Sequence, residues 1–167
     1  MSISMYQASV PVFIHALSNL AAILKKAETH CVANKIAPAV LLDYRLYPDM
    51  FGFAKQVQVA CDHAKNGAAR LAGVEAPEFA HVEQSFAELI ARVYEVVSYL
   101  QSFRPDQIDG SEEREVTIKR GDTVSTYHGQ QFLLNRALPN LFFHITTAYD
   151  ILRHNGVPLG KKDYLGS

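Results

Sequence analysis

Residues 137–160 read ALPNLFFHITTAYDILRHNGVPLG. With Leu134 just upstream, Leu138, Leu141, Ile145, Ala148 and Leu152 recur three and four apart, the period of a helix face turned toward a core. Phe142, Phe143, Tyr149 and Ile151 lie outside that stripe, so the helix is apolar on almost every side. Such a helix is central, or a second subunit covers it. Asn155-Gly156 followed by Pro158 ends it, because Gly tolerates the left-handed conformation and Pro cannot continue a helix. Inside the helix, Asn140 and His144 stand four apart and share a face. A buried amide and imidazole need partners, since an unpaired polar group costs about 1–3 kcal/mol.

Three further stripes of the same period precede it. Val10, Phe13, Leu17, Leu20, Leu24, Ala27 and Cys31 form the first. The second, Met50, Ala54, Val57, Cys61, Ala64, Ala68 and Leu71, is small enough to let a neighbour approach closely. Phe86, Leu89, Val93, Val96, Leu100 and Phe103 form the third. Four stripes share one core most simply as an all-α four-helix bundle, with residues 1–167 as a single domain. Asp49 is placed to cap the second helix, Gly73 to stop it, and Ser85 with Glu88 to box the third. Pro11 and Pro139 should each start or kink a helix. The links between the first and second helices and between the third and fourth are long. In residues 34–48 the patch Val40, Leu41 and Leu42 predicts a short helical turn lying on the bundle. Between the third and fourth helices, EVTIKRGDTVSTY alternates on either side of Gly121-Asp122 and predicts a small β-hairpin over one end.

Composition narrows the function. Sixteen basic and 17 acidic residues give a net charge of −1, which argues against nucleic acid or an anionic membrane as the main partner. No uninterrupted apolar run reaches about 18 residues, so no spanning helix is expected. The N-terminal stretch lacks a basic leader and a cleavage pattern, so no signal peptide is expected either. Two cysteines are too few for a disulfide framework, and the default compartment is the cytoplasm. No GxSxG, P-loop, GxGxxG, HExxH or paired CxxC motif occurs. Arg120-Gly121-Asp122 spells an adhesion tripeptide that a short turn explains.

The residues able to carry chemistry cluster on two helices. The second helix offers Gln58 and Asp62, four apart, with His63 beside them. Asp62 opposite His144 would fix the imidazole tautomer and raise its basicity. Together with Asn140, the same pair offers a site for a divalent ion such as Zn, Ni or Mn, with His63 as a substitute ligand. Against this stands a plainer arrangement, with Asp62 and His63 solvated and Asn140 and His144 satisfying each other or the backbone. His15 and Asn19 repeat the four-residue spacing, on an inward or a rim position. His30 and His81 are expected in solvent, and Cys61 in the core.

MYQASVPVF (5–13), PDMFGFAKQVQVACDHA (48–64) and LPNLFFHITTAYDILRHNGVPLGKKDYLG (138–166) resemble a bacterial and fungal family known only as a domain of unknown function. That family lies within the DinB/YfiT-like superfamily of four-helix bundles. The resemblance implies an up-down-down-up bundle, frequent homodimers and a cavity at one end. It also implies a three-histidine divalent-metal site, with one ligand from the second helix and an HxxxH pair from the fourth. Here the fourth-helix pair reads Asn140 and His144, so one of the two histidines is replaced. The expected function is therefore a small-ligand-binding protein, homodimeric through the fourth helix, without a full metal site. The alternatives are a divergent metal-dependent transferase or hydrolase, and an interaction module docking through the hairpin and residues 34–48.

Overall fold

The computed structural model describes residues 3–166. They run α1 (Met5–Asn34), α2 (Pro38–Leu42), α3 (Phe53–Ala72), α4 (Phe86–Gln101), α5 (Pro105–Ile108), β1 (Glu115–Arg120), β2 (Thr123–His128), α6 (Gly129–Phe132), a π turn (Leu133–Ala137), α7 (Leu138–His154) and α8 (Lys161–Leu165). The four long helices α1, α3, α4 and α7 carry the four stripes, whose members from Val10 to Leu152 are buried almost throughout. Met50, Ala54 and Leu138 are only half-buried, and Leu134 is exposed.

Contacts set the directions of these helices. Phe53 and Phe86, at the starts of α3 and α4, have ring centroids 5.9 Å apart, so those two helices run parallel. Tyr6 at the start of α1 donates to Asp109 beyond the end of α4, so α1 is antiparallel to α4. Ala137 lies against Gly67 while His144 meets Gln56, so α7 is antiparallel to α3. The order is up-down-down-up, with α1 packed chiefly on α4 and α3 chiefly on α7. Two adjacent parallel helices need a crossover that returns along the bundle. Residues 73–85 are that crossover, a strap without helix or strand. Sequence periodicity drew attention to the other two links instead.

Local chemistry explains most boundaries and corrects some. Ser4 and Gln7 form a capping box at the start of α1, and the helix continues through Pro11, which neither starts nor ends it. Asp49 does not cap α3: the helix begins at Phe53, whose amide is satisfied by the Tyr44 carbonyl at 2.8 Å. Ser85 does cap α4 through the Glu88 amide, but the Glu88 carboxylate returns to the amide of Gln84. Gly73 (φ +71°) closes α3 in the left-handed region that glycine enters freely. In α2, Leu41 and Leu42 are buried while Val40 faces solvent. The predicted hairpin is present, with Arg120 paired to Thr123 around Gly121-Asp122. Pro139 lies in the first turn of α7. Lacking an amide hydrogen, and with a ring that crowds the preceding turn, it accompanies a widened backbone at Leu133–Ala137.

By length and composition α1 is apolar enough to cross a membrane, a weak signal that core helices also give. Its stripe is buried against the other helices. Cys31 and Cys61 are free and buried. Burial pushes the Cys61 thiol up to about 12, leaving it unreactive near neutral pH. His15 takes the rim position: its Nε2 meets the Leu165 carbonyl at 2.7 Å, and Asn19 donates to Tyr164, so the pair grips α8. Tyr149 packs edge-on against Tyr164, so α8 covers part of α7's extra apolar surface.

Candidate functional site

His144 enters the interior from α7 with 8% of its surface exposed. Its Nδ1 lies 2.7 Å from Oε1 of Gln56 on α3. The Gln56 amide nitrogen donates to the Phe51 carbonyl at 3.2 Å, so the amide oxygen is the atom facing the ring. An amide oxygen only accepts, so Nδ1 carries the proton and donates, and Nε2 keeps a bare lone pair. Phe143 meets the imidazole edge-on at 5.2 Å, and His63 stacks on it at 5.3 Å with the planes 13° apart.

The expected partner of His144 was a carboxylate, and the structure supplies Gln56 instead. Gln56 and His63 are seven residues apart, two turns of α3, and both face α7. Asp62 turns toward α4 and the strap, pairing with His81 at 2.7 Å, Arg92 at 3.3 Å and Lys65 at 3.7 Å. Gln58 points the same way and donates to Glu83, so it is no part of a pocket with His144. His81 is therefore paired rather than free in solvent. Asn140 neither bonds His144 nor is fully buried: its amide donates to the Arg136 carbonyl at 2.6 Å, tying off the widened turn.

A cleft of about 340 Å³ opens beside these rings, where α3 finishes and α7 begins. Phe51, Val59, His63, Phe132, Asn140 and His144 line it, and β1 supplies its rim through Ile118, Lys119 and Arg120. Asp62, Asn66, Arg70, Arg136 and Ala137 complete the wall. The cations in this wall carry no sequence motif. Their one signal is that neither Arg70 nor Arg136 has an acidic residue three or four positions away to pair with along a helix.

A three-ligand metal centre does not fit this arrangement. Imidazole lone pairs lie in the ring planes, and two face-stacked rings direct them side by side. They do not converge on one point about 2.1 Å from both. The Asp62 carboxylate is already held by His81, Arg92 and Lys65. Among the described residues, no three His, Cys, Asp or Glu groups gather where one ion could be held.

Both imidazoles are neutral near pH 7. Burial pushes His63 down to about 4, with His144 and Arg70 adding to the effect, and burial lowers His144 as well. At so low a value the His63 imidazole is a weak proton acceptor. The same shifts fix a pH dependence. Between the ordinary value of 6.5 and about 4, the unfolded chain binds a proton at His63 that the folded chain refuses. Stability is then complete above about 6.5 and falls as pH drops toward 4, by about 1–2 kcal/mol once solvent access is discounted. Urea unfolding at pH 7 and pH 4.5 should show that loss, and His63→Gln should shrink it. An equal loss in the variant would mean that other groups set the slope.

Residues 5–165 match a family described as a domain of unknown function, DUF1993. The chain is also similar to the crystal structure of a DinB family member protein from Shewanella denitrificans. The two share 43% identity at a TM-score of 0.88, over 97% of this chain and 92% of that one. No curated protein matches.

Proposed function

The chain belongs to the DUF1993 family and has the DinB-like fold, and from that premise we propose that it binds a small organic molecule in the α3–α7 cleft, without a three-histidine metal centre. One observation carries this reading: a buried imidazole with a fixed tautomer borders a cleft whose walls are part apolar and part cationic. Sites for small molecules have this mix of apolar lining and a few placed polar groups. The test is a thermal-shift screen of small organic compounds in chelator-treated buffer, together with elemental analysis of the purified protein. Binding should appear with sub-stoichiometric metal and should vanish in Asn140→Phe, which fills the cleft from its wall. If Asn140→Phe binds as well as the parent, the cleft is not the site.

The bare Nε2 of His144 supports a second reading, a divergent divalent-metal-dependent transferase or hydrolase. An imidazole whose other nitrogen is held by an acceptor is the usual state of a metal ligand. Stoichiometric Zn, Ni or Mn retained by the parent and lost in His144→Ala would replace the first reading with this one.

We further propose a cytoplasmic homodimer built on α7. Free, buried Cys31 and Cys61 fit a reducing compartment. Leu134, Phe142 and Phe143 leave large apolar surface uncovered on α7 and the turn before it. Sedimentation should give a dimer that Phe142→Ser converts to a monomer. A monomeric parent protein would end this part of the proposal.

A further inference from the structure

Resting on the reading of the cleft as a ligand site, we infer that its ligand is a small organic acid. Arg70 and Arg136 hold the anionic head, and Phe51, Val59 and Phe132 receive the apolar body. The first support is a charge imbalance. Asp62 is the only acid lining the cleft among the described residues, and it is already paired with Arg92, His81 and Lys65. Among the described residues, Arg70, Arg136, Arg120 and Lys119 have no carboxylate partner.

Arg70 is the most telling of the four. It is half-buried, and that burial disfavours its charge. A guanidinium taken partly out of water without an acid is costly, and a bound anion offsets that cost. Among the described residues, the compensation comes from the Phe132 ring, whose centre lies 5.9 Å from the Arg70 guanidinium carbon. Arg136 is arranged alike, 5.6 Å from the centre of the Tyr127 ring. A cation–π contact of this kind uses none of the guanidinium N–H donors as hydrogen bonds to a carboxylate, so they remain available for a two-pronged bond to one.

The neutral rings complete the site. Nε2 of His144 and the Asn66 amide offer an acceptor and a donor for further polar atoms on the ligand. The cleft volume, about 340 Å³, is more than twice the roughly 150 Å³ that encloses a benzene ring. A bare inorganic anion leaves most of that space, and its apolar wall, unused.

Isothermal titration calorimetry at pH 7 tests this with benzoate, hexanoate, benzamide, hexanamide and inorganic phosphate. Both acids should bind, with their amides and phosphate weaker by about tenfold or more, the loss expected for a charge-assisted pair. Arg70→Gln and Arg136→Gln should each weaken the acids by about tenfold, and Arg153→Gln, far from the cleft wall, should not. Arg136 is exposed, so its variant keeps the test valid should Arg70→Gln fold poorly. Amides that bind as well as the acids overturn the inference while leaving the cleft a ligand site. Phosphate binding as tightly as the acids overturns the organic body, and undiminished binding in both arginine variants overturns the head-group assignment. If none of the five probes binds, the organic-acid inference falls. The cleft reading then stands or falls on Asn140→Phe in the broader screen.

Discussion

Arg92→Ala is expected to destabilise the protein by about 3–5 kcal/mol and to release residues 73–85 from the bundle. The Arg92 side chain is 3% exposed and holds both Glu83 and Asp62. The same guanidinium donates to the Ala80 carbonyl at 2.8 Å. Lys65, also buried, adds a bond to the Pro77 carbonyl at 2.6 Å and lies 4.6 Å from the Phe79 ring centre. These bonds hold a segment that has no ladder or helix of its own. Removing Arg92 leaves the Glu83 carboxylate largely buried without its cation, the costliest way to break such a pair. Burial would raise Glu83, yet its hydrogen bonds from Arg92 and Gln58 keep it below its ordinary value. Urea unfolding should report the loss, and limited proteolysis should cut the variant within 73–85 first. Glu83→Gln, which keeps a hydrogen-bond acceptor, should cost less. An Arg92→Ala midpoint equal to the parent's would mean that the apolar contacts of Phe79 and Phe86 hold the strap unaided.

Gly129→Ala should cost about 2–4 kcal/mol and loosen the hairpin, because the new methyl has nowhere to go. A β-carbon there would sit 2.0 Å from the Ser111 carbonyl oxygen and 3.0 Å from its carbon. Both atoms belong to backbone, so the relief cannot come from a side-chain rotation. The displaced turn leads into β1, and the Gln130 amide is bonded to the Glu112 carbonyl beside it. Ile118, Lys119 and Arg120 on β1 form the cleft rim, so the damage reaches the candidate site without touching a lining residue. Faster amide exchange in β1 and β2 than in α1 would register it. Gly67→Ala makes the contrast: its β-carbon would meet the Phe13 ring at 3.1 Å, a side chain able to yield a few tenths of an ångström. A smaller loss is expected there, and the reverse ranking would mean that the Ser111 turn is pliant.

Periodicity made the bundle legible because burial acts on every third or fourth residue and leaves a repeating trace. The hairpin and the glycine stops were legible because turn chemistry is local. Burial of His144 could be read from the apolar surroundings of its helix. Its partner could not. An apolar stripe says which side of α3 is buried, but not which of two neighbouring helices each flank meets. Asp62 looked the better partner because a carboxylate suits an imidazole, yet Arg92, 30 positions on, holds it on the α4 side. Nothing in the sequence marks Gln56, because a glutamine on a helix usually faces water. The strap has no period at all, and what orders it comes from Lys65 and Arg92 on two helices. The arginines at the cleft are separated by 66 positions, and only the fold of α7 back along α3 brings them to one wall.

The ring order of the helices bears on how the chain is made. α1 precedes the other long helices in the chain, but it packs chiefly against α4, while the next long helix, α3, pairs chiefly with α7. Some 67 residues separate the end of α1 from that of α4, which takes several seconds at roughly 5–20 residues per second. During that interval an apolar helix, matching a membrane span in length and composition, stands largely without its native cover. The apolar stripe of α1 thus waits for helices made after it, and α8, gripped by His15 and Asn19, can close over α1 only once α7 has been made.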